Sequence, residues 1–294
     1  MAAGRYADQL VVIVGPTASG KSAAGMELAR QFDGEIICAD SRTVYKGLDI
    51  GTAKPSHSDQ LEIPHHLLDV VEPNEAFSAA KFQTLANQAI SEIHGRNNLP
   101  IMVGGTGLFV DGVLLNYTFG LPADAQFRQE LEKLSIEELI NYCKNSNITL
   151  PKSVLNKRHL IRAIEQKGLN ESRNDKIRDD TIVVGIAPEK DVLQNRIRER
   201  AEQLFTQATY NEAQKVAQKY GWESAGMSGN IYPIIRRLLS RDITREQAID
   251  LFCIADWQLA RRQMTWFKRR DYIHWTKSSE EAVQYVGQKL ANLS

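Results

Sequence analysis

The chain has 294 residues, 43% hydrophobic and 24% charged, with 36 cations against 36 carboxylates and a formal net charge of zero. This suits a soluble globular protein with a core large enough to fold without metal or disulfide, and it excludes a chain that grips nucleic acid by overall basicity. The three cysteines, Cys38, Cys143 and Cys253, form no C-x-x-C pair, which argues against structural zinc or a disulfide framework and for a reducing compartment.

In chain order, Leu10–Val14 is a short β-branched run that reads as a buried parallel strand ending at Gly15. The run is too short to cross a bilayer and no signal-type cleavage site follows it, so a cytoplasmic protein without membrane contact is expected. A Gly-rich loop and a helix from Lys21 to Gln31 come next, then strands at Glu35–Ala39 and His66–Val70. Ser78 opens a helix to His94 with Phe82, Leu85, Ala89 and Ile93 at apolar spacing, and Pro100–Val103 is a strand ending in Gly104-Gly105. The alternation predicts an α/β fold, a P-loop NTPase-like parallel sheet flanked by helices. Residues 116–180 hold helical segments and polar loops, which predicts a helical insertion domain. Thr181–Ala187 returns to the sheet, so the core is 1–115 with 181–294. Helices are predicted at Glu189–Phe205, Tyr210–Tyr220 and Thr244–Arg270, and a last strand at Tyr272–Trp275.

Gly15-Pro16-Thr17-Ala18-Ser19-Gly20-Lys21-Ser22 fits G-x-x-x-x-G-K-[ST] between a strand and a helix. Such a loop turns several backbone N–H groups and a helix N-terminus toward one point. Lys21 adds a full charge and the Ser22 hydroxyl can ligate Mg²⁺, so a di- or triphosphate is the expected ligand. Kinases, ATPases and GTPases share the motif, which leaves the reaction open. Asp40 follows the second strand and should face the same crevice, because ligands sit beyond the carboxyl ends of parallel strands. There it could bind Mg²⁺, accept a proton from a nucleophile, or simply cap a turn.

Several blocks narrow the reaction: GPTASGKS, ADSRTVYKGLDIGTAKP, PHHLLDV, GGTGLF and, late in the chain, QLARRQMTWF. In this order they resemble the tRNA dimethylallyltransferase family, also called tRNA isopentenyltransferases, over residues 10–276. The resemblance implies transfer of a dimethylallyl group from dimethylallyl diphosphate to N6 of adenosine 37, beside the anticodon, in tRNAs reading codons that begin with U. It implies that the P-loop holds the donor diphosphate with Mg²⁺ at Ser22, that Thr17 and Arg200 bond this leaving group, and that Asp40 is the general base. It implies contacts to the tRNA anticodon stem-loop from Asp40, Ser41, Arg42 and Thr43, from Thr106, and from Arg128.

Two cationic stretches extend the RNA expectation. Arg261, Arg262, Gln263, Met264, Thr265, Trp266, Phe267 and Lys268, with Arg269 and Arg270 beyond, interleave cations and aromatics. The same pattern also suits a helix with an apolar stripe and a solvated basic face. In the insertion, Lys157, Arg158, His159, Leu160, Ile161 and Arg162 resemble a tRNA-meeting segment of the family, with Arg158 and Arg162 on one helical face. His65 and His66 lack further ligands at zinc spacing. Two segments depart from the family pattern. Gly226–Pro233 stands in place of a GYK-like block, and Asp256-Trp257 in place of a Thr-Arg pair, which implies weaker phosphate contacts there. A monomer is expected. The alternatives are an enzyme that prenylates free AMP, ADP or ATP, a small-molecule kinase, and a nucleotide-gated RNA-binding protein without catalysis.

Overall fold

The computed structural model describes residues 6, 8–120, 124–167 and 173–292. The elements run β1 (Leu10–Val14), α1 (Lys21–Gln31), β2 (Gly34–Cys38), α2 (His57–Glu62), β3 (His65–His66), α3 (Ala79–Gly95), β4 (Leu99–Gly104) and α4 (Gly107–Leu114). Then come α5 (Ala125–Lys133), α6 (Ile136–Asn145), α7 (Lys157–Glu165), β5 (Thr181–Ile186), α8 (Lys190–Leu204) and α9 (Gln207–Tyr220). After a 3₁₀ turn at Ala225–Ser228 follow α10 (Ile231–Leu239), α11 (Arg245–Phe267), β6 (His274–Thr276) and α12 (Ser279–Ala291).

The strands form one parallel sheet in the order β3-β2-β4-β1-β5-β6. Every residue of β1 is buried, and its alternation feeds two cores. Leu10, Val12 and Val14 pack with Phe82, Ile90 and Phe109 from α3 and α4, while Val11 and Ile13 pack with Leu28, Val286 and Leu290 from α1 and α12. Phe82 is fully buried and stacks on Phe109 at 4.3 Å. Truncating such a ring to alanine costs about 3–5 kcal/mol. Helix α3 starts where Ser78 accepts from the Lys81 N–H, and it buries Phe82, Ala86, Ala89, Ile90 and Ile93 along one stripe. A third core, with Phe205, Tyr232 and Phe252, joins α8 to α11.

The third strand is shorter than the predicted 66–70. Only His65 and His66 pair with β2, because Leu67 and Asp69 take positive φ and leave the extended run. Lys54, its side chain 2% exposed, holds Asp69 there at 2.5 Å.

The chain divides into two compact units, Met1–Leu114 with Ile177–Ser294, and Leu115–Lys176. Residues 177–180, placed with the insertion by sequence, join the larger unit. Ile177 packs on its core, Arg178 donates its N–H to the Leu114 carbonyl, and Leu10 donates its own to Asp180. The smaller unit packs α5, α6 and α7 around Leu131, Leu139, Cys143, Leu160, Ile161 and Ile164. No helix among the described residues is long and apolar enough to cross a membrane.

Candidate active site

The P-loop leaves β1 at Gly15, whose φ is 149° and whose missing side chain is required: a Cβ there would collide with the Ile186 carbonyl at the end of β5. Lys21 opens α1, and its Nζ donates to the Pro16 carbonyl at 2.5 Å. Burial pulls this ammonium down to about 8, opposed by the nearby Asp40 carboxylate and assisted by Arg200. Lys21, Asp40 and Arg200 thus share one electrostatic environment, although they lie on α1, after β2 and on α8.

Thr17 is the hub of the loop. Its N–H donates to Gln263 Oε1 (2.8 Å), and its Oγ1 accepts from Arg200 Nη1 (2.5 Å) and donates to Asp256 Oδ2 (3.5 Å). Gln263 Nε2 donates in turn to the Gly105 carbonyl (3.1 Å), and any side chain on Gly105 would collide with that amide. The Gly104-Gly105 turn therefore seats the end of α11 against the P-loop. Two polar atoms in this cradle are buried with no hydrogen-bond partner, Arg200 Nε and Ser19 Oγ. An orphaned guanidinium N–H beside a P-loop suits an oxyanion.

Asp40 lies half-buried just beyond β2, where Oδ1 accepts the Arg42 N–H at 2.7 Å. Thr106 bridges the β2 and β4 ends. Its Oγ1 accepts the Ser41 N–H (3.1 Å) and its own N–H donates to Ala39 (3.2 Å). The Asx turn expected as the plain role of Asp40 is present, and it engages only Oδ1.

A sequence model of the family described as "IPP transferase" matches residues 43–270. A protein from Desulforudis audaxviator named tRNA dimethylallyltransferase is 38% identical over 288 residues, covering 92% of each chain. The crystal structure of a full-length tRNA isopentenylpyrophosphate transferase from Bacillus halodurans is 33% identical, with a TM-score of 0.74 over 97% of each chain. The chain belongs to the IPP transferase family. A eukaryotic dimethylallyltransferase acting on tRNA shares the fold at a TM-score of 0.79 and 21% identity, over 97% of this chain and 80% of its own.

Within this IPP transferase fold the expected RNA-binding residues separate into two groups. Arg261, Arg262, Thr265, Lys268 and Arg269 are exposed on and just beyond α11. Phe267 is 1% exposed in the core and has no face left for a base. Trp266 Nε1 donates to buried Asp111 (2.8 Å), an acceptor shared with Arg270 and Tyr272, so these side chains fasten α11 to α4. Met264 is half-buried, and Gln263 serves the P-loop. Near Asp40, Thr43 is buried and Arg42 donates to Ser228 Oγ at 2.7 Å.

In the smaller unit, Leu160 and Ile161 are core, which removes them as direct RNA contacts. Arg128 pairs with the buried Glu165 carboxylate, Nη2 donating at 3.1 Å and Nε lying 2.8 Å from Oε1. Lys157 Nζ caps the Glu132 carbonyl at 2.7 Å, Arg162 lies 3.6 Å from Glu165, and Arg158 and His159 are exposed.

Three residues of the P-loop site escape sequence reasoning as site residues. Arg196 donates to the Ser19 carbonyl at 3.2 Å, one helical turn before Arg200, a spacing that could have revealed it. Asp256 is 3% exposed, and Asn230, from the segment without the family's usual block, donates to its Oδ1 at 2.9 Å. Asp256, Ala260 and Gln263 stand at i, i+4 and i+7, so one face of α11 meets the loop.

Proposed function

We propose that this protein is a tRNA dimethylallyltransferase that moves a dimethylallyl group from its diphosphate to N6 of adenosine 37. The observation that carries this reading is the cradle itself: Lys21 at the start of α1 and an orphaned Arg200 N–H share one environment, with the Asp40 carboxylate close enough to act on Lys21. The family relatives at 33–38% identity that carry tRNA-prenylating names support the same substrate pair.

In the reaction, adenine N6 attacks the first carbon of the allyl group, whose bond to the bridging oxygen breaks. The electron pair leaves with the diphosphate, and the N6 proton passes to the Asp40 carboxylate. As the allylic C–O bond breaks, positive charge builds on the allyl group and matching negative charge on the departing diphosphate, whose stabilisation dominates. Arg200, Lys21, the Thr17 hydroxyl that Arg200 bonds, and the loop N–H groups are placed to supply that. Ser22 is exposed on the first turn of α1, and one hydroxyl fits Mg²⁺, which takes one or two protein oxygens and completes its shell with phosphate and water. When bound there, the ion adds positive charge beside the leaving group.

The adenine must leave the anticodon stack, at a cost of a few kcal/mol. Exposed Arg261, Arg262, Lys268 and Arg269 can offset this by holding phosphates, and Arg158 and His159 of the smaller unit are further candidates. The test is incubation with Mg²⁺, labelled dimethylallyl diphosphate and either unmodified tRNA or AMP. Label in tRNA is expected. Label in AMP alone, or in neither, overturns the proposal.

A further inference from the structure

Asp256 has no role in the reaction as written, yet it occupies the diphosphate cradle. It stands on α11 with 3% exposure, facing Thr17 of the P-loop, Arg200 of α8, Asn230 before α10 and, at longer range, Asp40 beyond β2. Cys253, one turn earlier on the same helix, is its other titratable neighbour. Its two hydrogen bonds come from neutral donors, Asn230 at 2.9 Å and Thr17 at a weak 3.5 Å. Arg200 gives its own bond to Thr17 Oγ1. A buried carboxylate held this thinly is a poor host for full negative charge, and burial indeed raises its pKa against the pull of Arg200.

Arrival of a diphosphate changes the balance. The same Thr17 hydroxyl and Arg200 guanidinium that face Asp256 are the groups placed to hold the anion. Two anionic groups sharing one pair of donors in a buried site cannot both stay fully ionised, and the less solvated one takes up a proton.

We propose that Asp256 is a positioning residue that accepts one proton from solvent as the donor diphosphate binds, releasing Thr17 and Arg200 to that diphosphate. The proton adds to a carboxylate oxygen, no other bond changes, and it returns to solvent when inorganic diphosphate leaves. Asn230 keeps the neutral acid in place through its bond to Oδ1. The proposal rests on reading the cradle as the donor diphosphate site.

The test is calorimetric affinity for dimethylallyl diphosphate, with Mg²⁺, between pH 6.5 and 8.5, for the wild type and Asp256→Asn. Titrations of the donor and of Lys21 are common to both proteins and cancel in the ratio of affinities. That ratio, variant over wild type, should rise with pH by roughly threefold or more per unit, toward the tenfold limit for one coupled proton. Asp256→Ser, also uncharged and smaller, serves if the amide variant does not fold. A flat ratio with normal donor binding overturns the role of Asp256 alone. No donor binding by the wild type at any pH overturns the donor-site reading as well.

Discussion

Two carboxylates of nearly equal burial, Glu35 at 2% exposure and Asp256 at 3%, sit at opposite ends of the molecule's logic. Glu35 is the second residue of β2, and its oxygens accept from Arg96 Nε and Nη2, both at 2.8 Å, from Asn98 Nδ2 at 2.9 Å, and meet His66 Nε2 at 2.7 Å. Burial alone would raise its pKa, but these donors overcome it and hold the acid at about 2. Asp256 has an amide and a hydroxyl for the same task, and its pKa is raised. Donor number and charge, together with how deeply each group lies, set how firmly a buried acid holds its charge. The first arrangement ties strand to helix. The second leaves charge unsatisfied where an anionic substrate would bind.

The sharpest break of this comparison is at the site. Asp40→Asn should lower single-turnover transfer to tRNA roughly 10²- to 10⁴-fold, the usual worth of a general base, while filter-binding affinity for tRNA and the melting temperature hold. Near-normal transfer would strip Asp40 of the base role. Glu35→Gln should do the reverse, costing about 2 kcal/mol in urea unfolding because the charge-assisted bonds from half-exposed Arg96 are lost, with transfer by the folded enzyme intact.

The pH dependence of that stability follows from the lowered pKa. The unfolded Glu35 titrates near its ordinary 4.5, so the native advantage is complete above that value, declines as pH falls, and is gone below about 2. Urea midpoints of the wild type should fall through this window relative to those of Glu35→Gln, and parallel midpoints would contradict the role of the Arg96 knot.

A smaller effect belongs to Lys21, whose pKa is depressed to about 8. Its charge is present below that value and lost above it. The kcat/KM for the donor, which reports the free enzyme, should therefore drop above pH 8 in the wild type and in Glu35→Gln alike. The smallest change is expected from Gln263→Ala. Loss of its bonds to Thr17 and Gly105 should cost about 1–2 kcal/mol of stability and raise the donor KM several-fold. An unchanged donor KM would make Gln263 a scaffold residue only.

The strands, the P-loop and most of the long helices were legible because their causes are local. Five successive apolar residues make β1, glycines and Lys21 at fixed spacing make the loop, and Ser78 starts α3. The helices α2, α4, α10 and α12 were not anticipated. Of these, α4 packs in the interior with apolar residues on most sides, which blurs its period. The QLARRQMTWF stretch shows the boundary most clearly. Its cations and aromatics gave one pattern compatible with either RNA or core, and packing sent Trp266 and Phe267 to the core side.

What the sequence by itself determined is a P-loop on a parallel sheet, with Asp40 just beyond the carboxyl end of the second strand, because short-range geometry is enough to specify those. Only the tertiary structure decided that Gln263 completes the P-loop from 246 residues away, and that Asp256 lies buried against Thr17 with two neutral donors. The reason is physical: burial and hydrogen-bond supply depend on which helix faces meet, and residue order alone does not fix that meeting.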